Sequence, residues 1–540
     1  MENALKEEEY KINGEKEYID TRGKISNYEL TEPINWIGLI TSKKGSLRAN
    51  HYHPIQEQKA MLINGKFISV FKDLSDKGIL KTHTILPGEL VVTKPNVAHT
   101  MIFLEDSTFL NLVNGEREHE NFGVHTIPYE LVKQNAIEGY MKNYKSECRI
   151  CGNEKLKRVI SLGMVPLANN LIKENEKEEC FPLEMNYCPQ CHLCQLSYVV
   201  PPQKLFSNYL YVSSTTKSFK QHFEEFANRL VNELKLNNNS LVVDIGSNDG
   251  IFLKPLKEKG IKVVGIEPAK NICEIARKEG IETIEGFFND KIVEDILTSK
   301  GEADVITASN VFAHADNIKE ITRGAFKLLK DNGVFIIEVQ YLINTIKDLT
   351  FDNIYHEHLS YYSVTSLNEF FKKQGLHIIK VEKIPTHGGS IRIYVKRNAD
   401  NFDSSLSEFL DEEKKFGITN FGTYQKFAEN IEAKKAQAIQ KIRALKDKGK
   451  TIAGYGAPAK ATTVLNFYGI TNKDIDFIIE DNKLKHGYLV PGARIPIKDK
   501  AEMKNTPDCM LVLAWNFFDE IKKNNQDMID KGVEFFTLRD

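Results

Sequence analysis

At 540 residues the chain exceeds what one hydrophobic core organises, so three or four domains are expected. A net charge of −2 with no long basic run gives nucleic-acid binding no electrostatic support, and 41% hydrophobic with 27% charged residues is ordinary for a globular protein. The polar start MENALKEEEYKINGEKEY reads as neither signal nor transit peptide, and no stretch of eighteen apolar residues could span a membrane, so a cytoplasmic protein is expected.

Residues 35–140 hold six short apolar, β-branched runs (NWIGLIT, KFISVF, ILKTHTIL, ELVVTK, TMIFL, TFLNLV) broken by turn residues, which predicts an all-β barrel or sandwich. The cysteines follow. Six of the eight lie between Cys148 and Cys194, and such clustering without a secretion signal points to metal ligation rather than disulfides. Cys148-x2-Cys151 and Cys188-x2-Cys191 stand 36 residues apart, and each pair places two thiolates about one turn apart, as tetrahedral zinc requires. Cys194 offers a second pairing with Cys191, but Pro189 supplies the turn for 188–191. No catalytic base accompanies the cluster, so structural Zn2+ is expected.

From residue 217 the pattern changes to helices alternating with the apolar strands 241–246, 262–267, 304–309 and 333–339, which predicts a parallel sheet with crossover helices. LVVDIGSNDG (241–250) is a strand ending in Asp244, then a turn with Gly246, Asn248 and Gly250 that opens onto a helix N-terminus. Glu267 ends the next strand, 23 residues after Asp244, where a carboxylate reaches ribose hydroxyls. Asn310, Val311 and Phe312 follow the strand DVITAS and would line the same cleft. Residues 404–447 read as charged helix, and a second alternation follows at 451–456, 476–481 and 509–515. In GYGAPAKATT (454–463) two glycines and a proline follow a strand; it reads either as a plain strand–helix turn or as a phosphate-facing loop with Lys460 beside the phosphate. Glu480 and Asp481 end the next strand, and Tyr455 and Glu480 are further substrate-contact candidates.

IYHEHLSYYS (354–363) offers histidines, a glutamate and tyrosine hydroxyls together. On a strand or extended loop Tyr355 and Glu357 would share one side, with His356 and His358 on the other. Three readings stand from the residues: a metal site, with His314 the only other clear ligand; acid–base groups; or a solvent-facing histidine pair beside packed tyrosines.

Residues 146–540 resemble the sugar C-methyltransferases, which methylate ring carbon 3 of 4-keto-deoxy nucleotide sugars. The ordered pieces are CRICG, LGMVPLANNLI, YCPQCHLCQL, NYLYVSSTT, VVDIGSNDG, IEP, SNVFAHADN, IYHEHLSYYS, HGGSIRIY, GYGAPAKATT and the acidic pair at 480–481. The loop itself resembles the D-x-G-x-x-x-G turn of class I S-adenosylmethionine (SAM) methyltransferases, in which it cradles the methionine part while the next acidic residue holds the ribose. The resemblance implies a zinc lobe (146–200), a SAM domain (201–400) and a C-terminal Rossmann-like domain (401–540) that helps hold the nucleotide sugar. It implies His358 as the base that removes the C3 proton, with Tyr355 and Glu357 contacting sugar or base, and His314 with Tyr209 or Tyr211 completing the pocket. Cys194 departs from the usual apolar residue at its position.

GSLRANHYHPIQEQKAMLING (45–65) and GELVVTKPNVAH (88–99) resemble the two cupin motifs, within residues 1–140. His51, His53, Glu57 and His99 stand where cupins hold a divalent metal, yet the pattern also resembles nucleotide-sugar ketoisomerases and 3,5-epimerases, which use histidine as a base without metal. A cupin that only binds or forms a homodimer is the third reading. The expectation is thus a multidomain enzyme: an all-β cupin barrel that isomerises or epimerises a nucleotide sugar, fused to a zinc-containing SAM-dependent C-methyltransferase, with no nucleic-acid or membrane partner. A binding protein with a degenerate methyltransferase, or an O- or N-methyltransferase, are the rival classes.

Overall fold

The β-rich runs of the N-terminal region pair into two five-stranded antiparallel sheets. One is ordered Lys11–Ile12, Leu90–Thr93, Gln58–Asn64, Ser107–Val113, Trp36–Ser42; the other Ile127–Pro128, Leu47–Tyr52, Val97–Phe103, Phe67–Asp73, Lys81–Ile85. Leu62, Phe67, Ile85, Phe103 and Phe109 fill the space they enclose. The computed structural model describes residues 33–74, 81–114, 125–206, 217–398 and 403–539, with residues 11–12, 18–20, 23–25, 27–28, 30 and 214 besides. It divides into two units, Met1–Tyr144 and Lys145–Asp540.

One irregularity in the first unit aims its histidines. Ala49 and Asn50 both have positive φ (70° and 56°), and His51 pairs with His99 while Ala49 pairs with Thr100, which leaves Asn50 as the extra residue of a β-bulge. A bulge re-aims the side chains that follow it. The Asn50 carboxamide holds the distortion by accepting from Leu131 N (3.0 Å) and Val132 N (3.2 Å) and donating to Val132 O (2.8 Å).

The second unit is built on three sheets. The cysteine region forms an antiparallel sheet of Lys157–Pro166, Cys180–Tyr187 and Cys194–Leu196. Its fourth strand is Ser360–Tyr361, taken from the end of the HEH segment. The central sheet comprises β1 (Leu241–Ile245), β2 (Lys262–Glu267), β3 (Thr283–Glu285), β4 (Ala303–Ser309), β5 (Leu329–Gln340), β6 (His377–Ile384) and β7 (Ser390–Lys396), in the order β3-β2-β1-β4-β5-β7-β6. Only β7 runs opposite to the other strands of this sheet. The strand order reverses between β1 and β4, so their carboxyl ends open the crevice in which doubly wound sheets take ligands. Helices Ser405–Phe416 and Phe421–Asp447 lead to a third, all-parallel sheet ordered Ile497–Lys498, Ile478–Ile479, Ile452–Tyr455, Cys509–Val512, Glu534–Phe536.

Candidate active site

The turn after β1 leaves no room for side chains. Gly246 has φ +67°, and a Cβ there would lie 2.3 Å from Val311 Cγ2; a Cβ on Gly250 (φ +81°) would lie 2.8 Å from Ile281 Cγ1. Asn248 also takes positive φ, 47°. The close path is locked by Gly246 N donating to Ile266 O at 2.7 Å. Glu267, buried at the end of β2, accepts from Asn248 N (3.1 Å) and Ala269 N (2.9 Å), one per carboxylate oxygen, so each oxygen keeps a lone pair. Burial holds its pKa above the ordinary carboxylate range. Burial likewise pushes Asp244 up to about 7, against the hydrogen bond it accepts from Thr307 Oγ1 (2.5 Å). Asn310 follows β4 with φ 57° and its N–H donates to Glu338 O at 2.8 Å. A close-approach backbone, a buried ribose-type carboxylate and the β1/β4 crevice fit SAM.

The HEH segment is a tight turn, not the extended strand its sequence suggested. His358 N donates to Tyr355 O at 2.9 Å, so Tyr355 and His358, three residues apart, meet on one side. Their rings are 4.1 Å apart, and Tyr355 OH lies 2.9 Å from His358 Nε2. His358 Nδ1 lies 2.8 Å from Asn353 O, which assigns the proton to Nδ1 and the lone pair to Nε2. His314, on a 3-10 turn after β4, is no distant residue: its ring centroid is 4.9 Å from that of His358. Leu359 N, donating to Ala313 O at 2.8 Å, holds the two segments together. His356 points elsewhere, into the zinc-lobe sheet, where Nε2 meets Phe181 O (3.2 Å) and burial lowers its pKa to about 4. Glu357 is buried and accepts from Asn169 Nδ2 at 2.5 Å. Tyr209 and Tyr211 lie outside the described residues.

Behind this turn stands the C-terminal lobe. Thr463 Oγ1 donates to Ile354 O (3.2 Å), and Trp515 Nε1 donates to Asp352 Oδ2 (2.6 Å), one residue before the carbonyl that orients His358. Lys460 Nζ is buried without a hydrogen-bond partner, 4.9 Å from the Trp515 ring centroid, and desolvation lowers its pKa. The Glu480 carboxylate accepts from Ala457 N (2.8 Å) and Asn482 N (3.0 Å), one per oxygen as at Glu267, while Tyr455 OH donates to Asp481 Oδ1 (3.0 Å). Asn353, Asn169, Asp352 and Trp515 escaped the sequence reading. Only Asn169 carried a signal, as the second-last residue of LGMVPLANN.

Cys148, Cys151, Cys188 and Cys191 bring their sulfurs within 4.8 Å of one another. Gly152 N donates to Cys148 O (2.8 Å) and His192 N to Cys188 O (2.9 Å), closing two equivalent knuckles with Gly152 and His192 at positive φ. Cys194 lies outside this group, fully buried in a sheet strand. Four converging sulfurs with no other donor fit tetrahedral zinc in a closed site.

In the first unit the bulge brings His51, His53 and His99 within 4.8 Å, donor atom to donor atom. His53 Nδ1 is 2.9 Å from His125 O. Burial lowers His51 to about 4 and His99 to about 3, so both imidazoles are neutral at physiological pH. Glu57 is not part of the cluster; its carboxylate is ion-paired with Lys59 two residues on. Among the described residues no helix is long and apolar enough to cross a membrane.

Residues 385–538 match the C-methyltransferase C-terminal domain model, 219–381 a methyltransferase domain model and 148–206 a zinc binding domain model. The chain is 37% identical over 397 residues to the C-methyltransferase NovU of Streptomyces niveus, covering 72% of this chain and 94% of that one. A ubiquinone biosynthesis O-methyltransferase of Pelagibacter ubique is 28% identical over 113 residues, 21% of this chain and 46% of the other. The 3,4-ketoisomerase QdtA of Thermoanaerobacterium thermosaccharolyticum aligns with 22% of this chain and 84% of its own at 19% identity and a TM-score of 0.19. NovU and the three domain models together span the zinc knuckles, the SAM-type crevice and the C-terminal sheet: the chain belongs to the C-methyltransferase family.

Proposed function

We propose that the chain transfers a methyl group from SAM to ring carbon 3 of a 4-keto-deoxy nucleotide sugar through an enolate. The observation that carries this reading is the His358 imidazole, whose Nδ1 is committed to Asn353 O and whose basic Nε2 faces the Tyr355 hydroxyl. A ketone at C4 acidifies its neighbouring carbons, and His358 Nε2 takes the C3 proton. Tyr355 and His314 then stand as donors toward the C4 oxygen, where charge develops. Glu357, oriented by Asn169, binds a sugar hydroxyl or amine. Glu267, Asn248, Asn310 and the glycine turn would hold SAM, which would supply an electrophilic methyl group to C3, its S–CH3 bond breaking as the C–C bond forms and S-adenosylhomocysteine leaving. The buried Lys460 takes a phosphate of the nucleotide, and Tyr209 or Tyr211 completes the pocket. Cys148, Cys151, Cys188 and Cys191 would hold a structural zinc that fixes the lobe carrying strand Cys194–Leu196, against which Ser360–Tyr361 pairs.

The test is incubation of 4-keto nucleotide sugars with SAM in deuterated water. Deuterium uptake at C3 and a new C–C bond there are the expected result. Uptake and methylation at C5, the other carbon beside the ketone, would move the position. A methyl group found on oxygen or nitrogen, with no exchange at either carbon, would sink the proposal.

For the N-terminal unit we infer a second site on the same class of substrate, with His51, His53 or His99 moving a proton to isomerise or epimerise the sugar. Three converging imidazoles are equally the chemistry of a divalent-metal ligand set. Metal analysis of the purified chain separates the two. Bound metal beyond the one zinc, lost in His53→Asn, favours the metal. A second product by mass spectrometry, lost in His53→Asn without loss of methylation, favours the isomerase.

A further inference from the structure

Arg149 sits inside the first zinc knuckle, between Cys148 and Cys151, yet its side chain serves the candidate active site. It is 5% exposed. Its Nε donates to Asp316 Oδ1 (3.2 Å), two residues after His314. Its Nη1 donates to Leu359 O (2.5 Å), one residue after His358, and Nη2 reaches Leu196 O at 3.4 Å. The Arg149 backbone N–H is pinned to Gln195 Oε1 at 2.9 Å, and Lys145 Nζ braces the other Asp316 oxygen at 2.7 Å. Leu359 O also accepts from Leu196 N at 3.0 Å, so the guanidinium closes a bond of the zinc-lobe sheet on one side and reaches the end of the His314 segment on the other.

We propose that Arg149 is a positioning residue for the methyl-transfer reaction, fixing the His314–His358 separation from the zinc knuckle. A planar guanidinium with five donors in fixed geometry can bridge a carboxylate and two carbonyls at once, which an ammonium cannot. Zinc then has a role beyond lobe stability: it immobilises the backbone from which this bridge extends. The inference rests on His314 and His358 forming the reacting pair, as proposed above.

The experiment compares zinc-loaded Arg149→Lys, Arg149→Met and Asp316→Asn with His358→Asn, using the 4-keto nucleotide sugar most rapidly methylated by the parent chain. Zinc content, Tm, kcat, KM and the pH profile of carbon–deuterium exchange are read for each. Asp316→Asn leaves the knuckle untouched and keeps the test alive if an Arg149 variant fails to fold. Expected is a kcat lower by about 10–100-fold in Arg149→Met and Asp316→Asn with KM changed little and one zinc retained. Arg149→Lys should recover only part of it, and the exchange profile should shift in each variant. Combining Arg149→Met with Asp316→Asn should cost little more than either alone. Parental kcat and an unshifted profile in Arg149→Lys and Asp316→Asn, or losses that follow zinc content or Tm, would overturn the inference. If His358→Asn itself exchanges and methylates normally, the underlying reading fails instead.

Discussion

The Asn353 carbonyl oxygen lies 2.8 Å from His358 Nδ1 and thereby decides which nitrogen of that imidazole is basic. His358→Asn removes the proton acceptor, while Tyr355→Phe removes only the hydroxyl at Nε2. Methyl transfer should fall by about 10²–10⁴-fold in the first and less in the second, with SAM binding by calorimetry unchanged in both. Equal, parental rates in the two variants would remove this pair from the reaction.

The family motifs in the sequence reached these residues, but not their arrangement. Alternation along IYHEHLSYYS placed Tyr355 and His358 on opposite sides. The turn closed by His358 N and Tyr355 O reverses this, and turn geometry follows from tertiary partners that no local period encodes. The two cysteine knuckles and the β1–β2 loop were readable because short, rigid spacings dictate them. Glu57 was misplaced because a carboxylate near a motif found a nearer local partner, Lys59. The recruitment of Ser360–Tyr361 into the zinc-lobe sheet joins segments more than 150 residues apart, and nothing in either stretch announces it.

Gly246→Ala tests the SAM crevice. The added methyl group would meet Val311 Cγ2 at 2.3 Å with the backbone at φ +67°, so both contact and conformation oppose it. SAM affinity measured by calorimetry should fall at least about tenfold, and stability by about 1–3 kcal/mol. Unchanged affinity would mean that the turn does not approach the ligand.

Asp244 supplies a pH signature. Its pKa rises on folding from 3.8 to about 7, chiefly because it is buried. The native state therefore binds more protons than the unfolded one between those values, and stability falls as pH rises through that window. Asp244→Asn keeps an acceptor for Thr307 and carries no charge. Its stability advantage over the parent should be absent near pH 4, grow towards pH 7 and then level off, at about 4 kcal/mol at most. A constant difference across this range would show that Asp244 titrates normally.

Removing zinc should reach the active site through the lobe. With the four thiols unligated, the strand Cys194–Leu196 loses its anchored neighbour, and Ser360–Tyr361 loses its partner. Chelation, or Cys188→Ser, should lower Tm and abolish methyl transfer, while SAM still titrates into the central sheet, which carries Glu267, Asn248, Asn310 and the glycine turn. Loss of SAM binding in step with zinc would contradict this separation.

Lys460 sets stability against binding. Its Nζ is buried without a hydrogen-bond partner, and desolvation lowers its pKa below 10.5, against the raising effect of Asp352. A base with a depressed folded pKa costs stability once pH falls below the unfolded value, so the cost is present at neutral pH and fades as pH approaches 10.5. Lys460→Met, similar in length and uncharged, should therefore raise Tm at pH 7 and by less at pH 10. If the ammonium is kept for a phosphate, the same variant should lose the stabilisation that thymidine diphosphate gives the parent, and KM for the nucleotide sugar should rise about 10–100-fold, the worth of one charge-assisted hydrogen bond. A variant that is less stable at pH 7 and still shifted by thymidine diphosphate would make Lys460 a packing residue over Trp515, and the diphosphate would have to be held elsewhere.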